Sequence, residues 1–252
     1  MTKALDASEA AVTDLNPTPT PRQVLAEFAA FLRAPAILEP QGWGHGGVRR
    51  WAVLTAALIF GLLVVLLPFL GLWQKLMGTP APTAFDNFPK EWLVPVTVVI
   101  APVVEELMFR GWQRGSASAL WLLTCAAVAG LVLMQSASSN QPLVVAGAIL
   151  AAAIAAPIGW ALLRKRPAPM PWFARIFPWI FYGVAAGFAL FHLTNYPVFT
   201  VAMLPLVLPQ LWAALVLGYL RQKLGLAHSI AAHMLANGCS IGLALLSGPV
   251  GA

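Results

Sequence analysis

Long apolar stretches separated by short polar segments make up most of the chain after residue 50. Each stretch is close to the ~20 apolar residues that one helix needs to cross a bilayer. Seven such stretches are present, at residues 51–73, 92–114, 119–135, 142–163, 178–197, 199–220 and 226–247. The pattern therefore predicts an all-α protein, a polytopic membrane helical bundle with about seven transmembrane helices.

A polar segment, residues 1–47, precedes the first apolar stretch and is predicted to be a cytosolic tail. Its proline-rich part at 16–21 is typical of an extended linker. Apolar residues then recur at helical spacing within 22–38, which predicts a short amphipathic helix. Two positions suit such a helix, the membrane surface or the cytosolic face of the protein itself, and the pattern favours neither. The remainder, 48–252, is predicted to be one transmembrane domain.

Composition and charge support a membrane protein and indicate its orientation. The chain is 60% hydrophobic and 10% charged, with a mean hydropathy of +0.78, far more apolar than a soluble domain requires. If seven helices alternate in direction, all 15 Lys and Arg residues except Lys75 and Lys90 fall on the side of the N-terminus. The positive-inside rule then predicts a cytosolic N-terminus. We expect an integral protein of the bacterial inner membrane and no nucleic-acid partner.

Two adjacent carboxylates, Glu105 and Glu106, lie within the second apolar stretch. Ionisable residues are costly inside a membrane, so they indicate a functional site. On a helix Glu106 lies one turn before Arg110, with the acid N-terminal, which is the favoured orientation for an ion pair. Glu105 points about 100° away around the helix. One carboxylate is therefore predicted to be paired and the other to be available.

Few other polar residues lie within the apolar stretches. His192 follows Phe188 by one helical turn, and His233 precedes Asn237 by the same spacing. A single histidine in a helix is more often a hydrogen-bonded core residue than a catalyst. Together with the two glutamates, however, these residues predict an inward-facing set contributed by three different helices.

Helical geometry predicts the depth of this set in the membrane. Counting ~1.5 Å per residue from the cytosolic ends of the spans, Glu105 lies ~14 Å and His233 ~11 Å deep. This count treats residues 171–177 as an approach that lies outside the fifth transmembrane helix. The arrangement predicts a water-filled cavity that opens to the cytosol.

Three motifs occur in order along the chain: Glu105-Glu106-x-x-x-Arg110, Phe188-x-x-x-His192 and His233-x-x-x-Asn237. They resemble the three motifs of the CPBP family, the CAAX-processing and bacteriocin-processing (Abi) intramembrane proteases. The resemblance covers roughly residues 92–247. In that family the first two motifs usually occupy neighbouring helices, whereas here two extra helices, at about 119–163, stand between them.

The resemblance implies an intramembrane endopeptidase that hydrolyses membrane-associated proteins or peptides with a glutamate-activated water. Peptide hydrolysis needs an activated water and a stabilised oxyanion. By this resemblance, Glu105 is the general base and His192 shares the water. His233 and Asn237 supply the oxyanion donors. Glu106, paired with an arginine, supports the geometry, and no cofactor is expected.

Two alternatives fit the same residues. A zinc-dependent intramembrane metalloprotease would use Glu105, His192 and His233 as ligands, although the chain lacks an H-E-x-x-H pair. A non-catalytic scaffold, immunity protein or transporter would tolerate loss of the glutamate. The expected partners are membrane lipid and a protein or peptide substrate, for which a C-terminal tail and a leader peptide both fit. The sequence does not indicate the oligomeric state.

Overall fold

The computed structural model describes residues 18–44, 46–84, 88–139 and 141–246. In these ranges every regular element is helical, and seven helices are long and apolar enough to cross a membrane. The all-α prediction with about seven spans is therefore confirmed. Of the linker predicted at 16–21, residues 16 and 17 lie outside the described residues.

We number the helices in chain order, and α2 to α8 are the candidate spans. The helices are α1 Pro21–Arg33, α2 Gly47–Met77, α3 Glu91–Arg110, α4 Ala117–Ser139, α5 Pro142–Leu163, α6 Pro171–Asn195, α7 Val201–Lys223 and α8 Leu226–Leu246. The last turn of α6, His192–Asn195, and the first turns of α7, Val201–Val207, are 3₁₀-helical. These elements give a membrane bundle with one additional helix before it.

Two spans contain a widened, π-helical stretch, Gly61–Leu66 in α2 and Pro95–Ile100 in α3. Each stretch ends two residues before a proline, Pro68 or Pro102. Proline has no N–H to donate to the preceding turn, and its ring crowds the carbonyl four residues earlier, so the helix widens there. In α3 this widening lies immediately before the turn that carries Glu105.

The fifth span begins earlier than the sequence pattern predicted. Residues 171–177 were predicted to lie outside the helix, but α6 starts at Pro171, and that prediction was wrong. Proline is well tolerated in the first helical turn because its missing N–H has no partner there. Phe173, Phe177 and Phe181 then recur every fourth residue and are almost fully buried in the main core. Packing of this face keeps the segment helical.

Helix α1 lies against the protein itself, which is one of the two positions that the sequence left open. Thr20 caps its first turn through a reciprocal capping box with Gln23. Val24, Phe28 and Phe31 on one face are buried in the main core. The helix ends at Arg33 rather than at the predicted residue 38. It therefore covers one end of the bundle.

An ion-pair cluster around Glu27 ties α1 to the spans. Arg50 donates to both carboxylate oxygens of Glu27 at 3.0 Å, and Lys223 Nζ lies 3.6 Å away. The Tyr219 hydroxyl donates to the same carboxylate at 3.5 Å. Because these groups belong to α2 and α7, the cluster fixes α1 across two spans.

Helices α4 and α5, the two extra helices, form a hairpin that packs chiefly on itself. Trp121 Nε1 donates to the Ala155 carbonyl at 2.9 Å. A Cβ atom on Gly159 would lie only 2.0 Å from the Trp121 ring, so this close approach requires glycine. No described residue of α5 is buried. The hairpin therefore lies beside the bundle.

We expect Glu27→Gln to lower the thermal unfolding midpoint at pH 7 by roughly 2–4 °C, the shift that ~1 kcal/mol produces in a chain of this size. The hydrogen bond from Arg50 holds the pKa of Glu27 below its ordinary value of 4.5. Such a carboxylate stabilises the fold above the unfolded pKa and loses this contribution as pH falls through the folded pKa. The difference from wild type should therefore shrink below pH 4.5.

Glu39→Gln is the matched control for this unfolding experiment. Glu39 pairs with Arg114 at 3.4 Å, but its side chain is 89% exposed, and exposed ion pairs contribute little. Its substitution should leave the thermal unfolding midpoint unchanged, both at pH 7 and below pH 4.5. Equal effects of the two substitutions, or a Glu27 effect that grows in acid, would contradict this account of the α1 anchor.

Candidate active site

Glu106 and Arg110 form a buried ion pair on α3, as the sequence predicted. Arg110 Nη1 donates to Glu106 Oε1 at 2.8 Å, and the two side chains are at most 1% exposed. The Arg110 guanidinium also lies 4.2 Å from the centre of the Phe188 ring on α6, a cation–π contact. The pair therefore joins the glutamate helix to the helix that carries His192.

Glu105 lies beside this pair but faces a different environment. Its side chain is 25% exposed, and it lines a cavity inside the bundle. The angular offset between neighbouring helical residues explains the difference, because it turns Glu105 away from Arg110. The predicted division between a paired and an available carboxylate is thus present in the structure.

His233 on α8 lies between the two carboxylates. Its Nδ1 is 3.0 Å from Glu106 Oε1, and its Nε2 is 3.6 Å from Glu105 Oε2. An ionised carboxylate only accepts hydrogen bonds, so Nδ1–H donates to Glu106. This contact leaves the Nε2 edge of the ring directed towards Glu105 and the cavity.

His192 stands at the point where α6 changes from an α-helix to its final 3₁₀ turn. Its Nδ1 lies 2.8 Å from the Phe188 carbonyl oxygen. A carbonyl accepts, so Nδ1 carries the hydrogen and Nε2 is left with a free lone pair. The Phe188 ring packs against His192 with 4.8 Å between ring centres. Phe188 therefore fixes both the tautomer and the position of this histidine.

Asn237 lies one helical turn after His233 and reaches the widened part of α3. Its Nδ2 donates to the Thr97 carbonyl oxygen at 2.9 Å. Thr97 in turn donates its hydroxyl hydrogen to the Leu93 carbonyl at 2.5 Å. An amide nitrogen carries two hydrogens, so one N–H of Asn237 is left for a further acceptor.

A cavity of about 540 Å³ brings these side chains together. Its lining includes all four predicted catalytic residues, Glu105, His192, His233 and Asn237. The wall is otherwise largely apolar, which is typical of a ligand-binding cavity with a few convergent polar groups. The structure thus places the predicted residues around one space, while their individual roles stay predictions.

Further polar residues line the cavity beyond the predicted set. They are Gln74, Thr97, Asn195, Tyr196, Gln210 and Ser240. The rule that polar residues inside spans are costly could have identified both glutamines. Thr97 and Ser240 carry no such signal, because serine and threonine are common in membrane helices and bond to their own backbone.

The cavity extends away from the end of the bundle that carries α1. Gln74 in the second half of α2, Pro82 in the loop that follows α2, and Tyr196 directly after α6 belong to its lining. The sequence predicts an opening to the cytosol, and this stays a prediction, because it depends on which end of the bundle faces the cytosol. The depth of the catalytic residues was counted along single helices, and such a count does not show which end the packing closes.

The residues proposed as alternative zinc ligands are Glu105, His192 and His233. Among the residues that the structure describes, no group of three His, Cys, Asp or Glu side chains is arranged to hold a metal ion. The residues present therefore do not fit a zinc site in this arrangement. The expected independence from a cofactor stays a prediction.

Comparison with known proteins identifies the family. A model of the family described as Type II CAAX prenyl endopeptidase Rce1-like matches residues 87–239, which include all three motifs. The match covers more than half of the chain, so the chain belongs to this family, part of the CPBP proteases, and the resemblance seen in the sequence is confirmed. No curated protein and no solved structure matches the chain. Membership implies a protease, and the apolar helices indicate an integral membrane protein.

We expect Glu106→Gln to destabilise the purified protein strongly. The substitution leaves Arg110 buried opposite a neutral amide, and loss of one member of a buried pair can cost ~3–5 kcal/mol. Thermal unfolding in detergent measures the effect. Glu105→Gln is the matched control, because the partly exposed neighbour has no such partner, and it should unfold close to wild type. Equal losses in the two variants would refute the division between the glutamates.

Proposed function

We propose that this member of the CAAX endopeptidase family hydrolyses peptide bonds of membrane-associated proteins or peptides with a water that Glu105 activates. One observation carries the proposal. Of two adjacent glutamates, Glu106 is committed to a buried ion pair, whereas Glu105 faces the cavity beside His192 and His233. A carboxylate next to open space and to two imidazoles is suited to proton transfer with water.

In the proposed reaction, a water molecule between Glu105 and His192 attacks the carbonyl carbon of the scissile peptide bond. Glu105 takes one proton from the water, and the lone pair on His192 Nε2 accepts the hydrogen bond from its other hydrogen. Collapse of the tetrahedral intermediate breaks the C–N bond, and the proton held by Glu105 passes to the departing amine. The products are one new carboxyl group and one new amine.

The oxyanion of that intermediate needs hydrogen-bond donors. Asn237 has one N–H left after its bond to Thr97. His233 supplies a second donor at Nε2 when both of its ring nitrogens carry hydrogen, since Nδ1–H is already directed to Glu106. Removal of one oxyanion donor typically lowers turnover by ~10²–10³-fold.

Orientation in the membrane forms part of the proposal. The basic residues at the α1 end, among them Arg22, Arg33 and Arg49, support a cytosolic N-terminus by the positive-inside rule. We place the protein in the bacterial inner membrane. Its partners are then membrane lipid and a polypeptide substrate.

We expect Glu105→Gln to abolish cleavage while the protein stays folded. General base catalysis contributes ~10²–10⁴-fold, and the amide keeps the shape of the side chain but not the base. Membrane and released fractions of cells that produce wild type or variant are compared by quantitative proteomics. Fragments should appear with wild type and be absent with Glu105→Gln.

Glu91→Gln is the control for this comparison, because Glu91 lies on the same helix but does not line the cavity. It should yield the wild-type fragments. A cleavage pattern that Glu105→Gln leaves unchanged would reject Glu105 as the base and favour a scaffold.

Metal dependence is tested on an identified substrate. The purified wild-type protein should stay active in the presence of a metal chelator. Loss of activity that zinc restores would instead support the metalloprotease alternative.

A further inference from the structure

We propose that Pro102 is a positioning residue for Asn237. Together with the π-helical stretch before it, this proline leaves the Thr97 carbonyl without a partner in its own helix, and that carbonyl then holds the Asn237 amide at the cavity. The link between the two helices follows from backbone hydrogen bonding. Its effect on catalysis rests on the proposed function, in which Asn237 donates to the oxyanion.

The hydrogen bonds of the α3 backbone explain how the carbonyl loses its partner. In an α-helix the Thr97 carbonyl would accept from the N–H of Ala101, four residues later. In the widened stretch that N–H donates instead to the carbonyl of Val96, five residues earlier. The corresponding donor for Thr97 in this wider pattern would be the nitrogen of Pro102, which carries no hydrogen. Neither pattern therefore gives this carbonyl a helical partner.

The Asn237 side chain supplies the missing hydrogen bond. Thr97 is only 7% exposed, and a bilayer offers no water to replace a lost backbone donor. Asn237 Nδ2 on α8 donates to this carbonyl at 2.9 Å. Buried backbone groups are almost always paired. The widened turn of α3 therefore requires a donor at this position of α8.

The same bond fixes the orientation of the Asn237 amide. A carbonyl oxygen only accepts, so the amide must present its nitrogen, and not its oxygen, to Thr97. The second N–H of that nitrogen stays available, and Asn237 belongs to the cavity lining. Helix α8 packs closely here, since a Cβ atom on Gly238 would lie in ordinary contact with Val98, at 3.6 Å from its Cγ1. A donor anchored to a helix backbone in this way is preorganised for an oxyanion.

Helix α2 provides a matched control for this arrangement. Its π-helical stretch, Gly61–Leu66, is also followed by a proline, Pro68, and the N–H just before that proline likewise donates five residues back. Pro68 does not belong to the cavity lining. Replacing it with alanine changes the same local chemistry as Pro102→Ala but concerns a carbonyl of another helix.

Thermal unfolding of single and double variants in detergent tests the pairing without a substrate. Asn237→Ala leaves the Thr97 carbonyl unpartnered, whereas Pro102→Ala restores a backbone N–H that can donate to it. Alanine favours a helix, so the Pro102→Ala protein is expected to fold. Asn237→Ala should therefore lower the unfolding midpoint by roughly 2–4 °C more in wild type than in the Pro102→Ala background.

In the Pro68→Ala background, the loss caused by Asn237→Ala should equal the loss in wild type. Equal losses in all three backgrounds would overturn the proposal, because the proline would then have no bearing on the amide contact. A smaller loss in the Pro68→Ala background, of the size seen with Pro102→Ala, would overturn it as well, since the effect would not be specific to α3.

Turnover of an identified substrate tests the positioning role. Pro102→Ala should lower kcat by roughly 10–10²-fold and leave KM nearly unchanged, because a slightly misplaced catalytic group costs rate rather than binding. In the Asn237→Ala background the same proline substitution should have no further effect on kcat, since it acts through the amide. An unchanged kcat in Pro102→Ala, or equal losses with and without Asn237, would overturn the positioning role.

These measurements distinguish a failure of this inference from a failure of the proposed function. Loss of cleavage in Glu105→Gln together with additive effects of the Pro102 and Asn237 substitutions would leave the general base standing and reject the role of the proline. Wild-type turnover by Asn237→Ala would instead reject the proposed oxyanion donor and, with it, the catalytic role of Pro102. The unfolding comparison would still decide whether the proline determines the contact between Thr97 and Asn237.

Discussion

The buried ion pair between Glu106 and Arg110 is the interaction on which the site depends. Both charges are removed from water, which is tolerable only when each has well-placed partners. Glu106 receives hydrogen bonds from Arg110 and His233, and Arg110 lies over the Phe188 ring. These contacts join α3, α6 and α8. Once Glu106 is held in this way, helical geometry turns Glu105 towards the cavity, and the two neighbouring carboxylates acquire different roles.

Contacts of Arg221 at the end of α3 help to explain on which side of the ion pair the cavity lies. The carbonyls at the C-terminal end of α3 would lack partners, and Arg221 donates to those of Arg110 and Gly111. A cation at a helix C-terminus is electrostatically favoured. This contact fills the space between the site and α1 with buried polar groups. The cavity lies on the other side of the ion pair, towards the loops that follow α2 and α6.

Interactions within one helix could be predicted from the sequence, whereas those that depend on packing between helices could not. The spacing of Glu106 and Arg110 determines that they can meet, and the same holds for Phe188 and His192. The direction of the cavity depends instead on Arg221, which has no local signal linking it to α3. The helical start at Pro171 likewise depends on burial of aromatic residues against other spans. Local periodicity therefore predicts the site residues but not the direction in which the cavity extends.

The proposed reaction assigns the activation of water to Glu105 and leaves its paired neighbour Glu106 out of the chemistry. Oxygen-isotope transfer in a single turnover tests it most directly, with excess purified enzyme cleaving an identified substrate in H₂¹⁸O. Direct attack by water predicts that the new product carboxyl carries one ¹⁸O and that peptides containing Glu105 and Glu106 carry none. An unlabelled product together with ¹⁸O in the Glu105 peptide would show that the glutamate itself attacks the substrate, and would contradict the account.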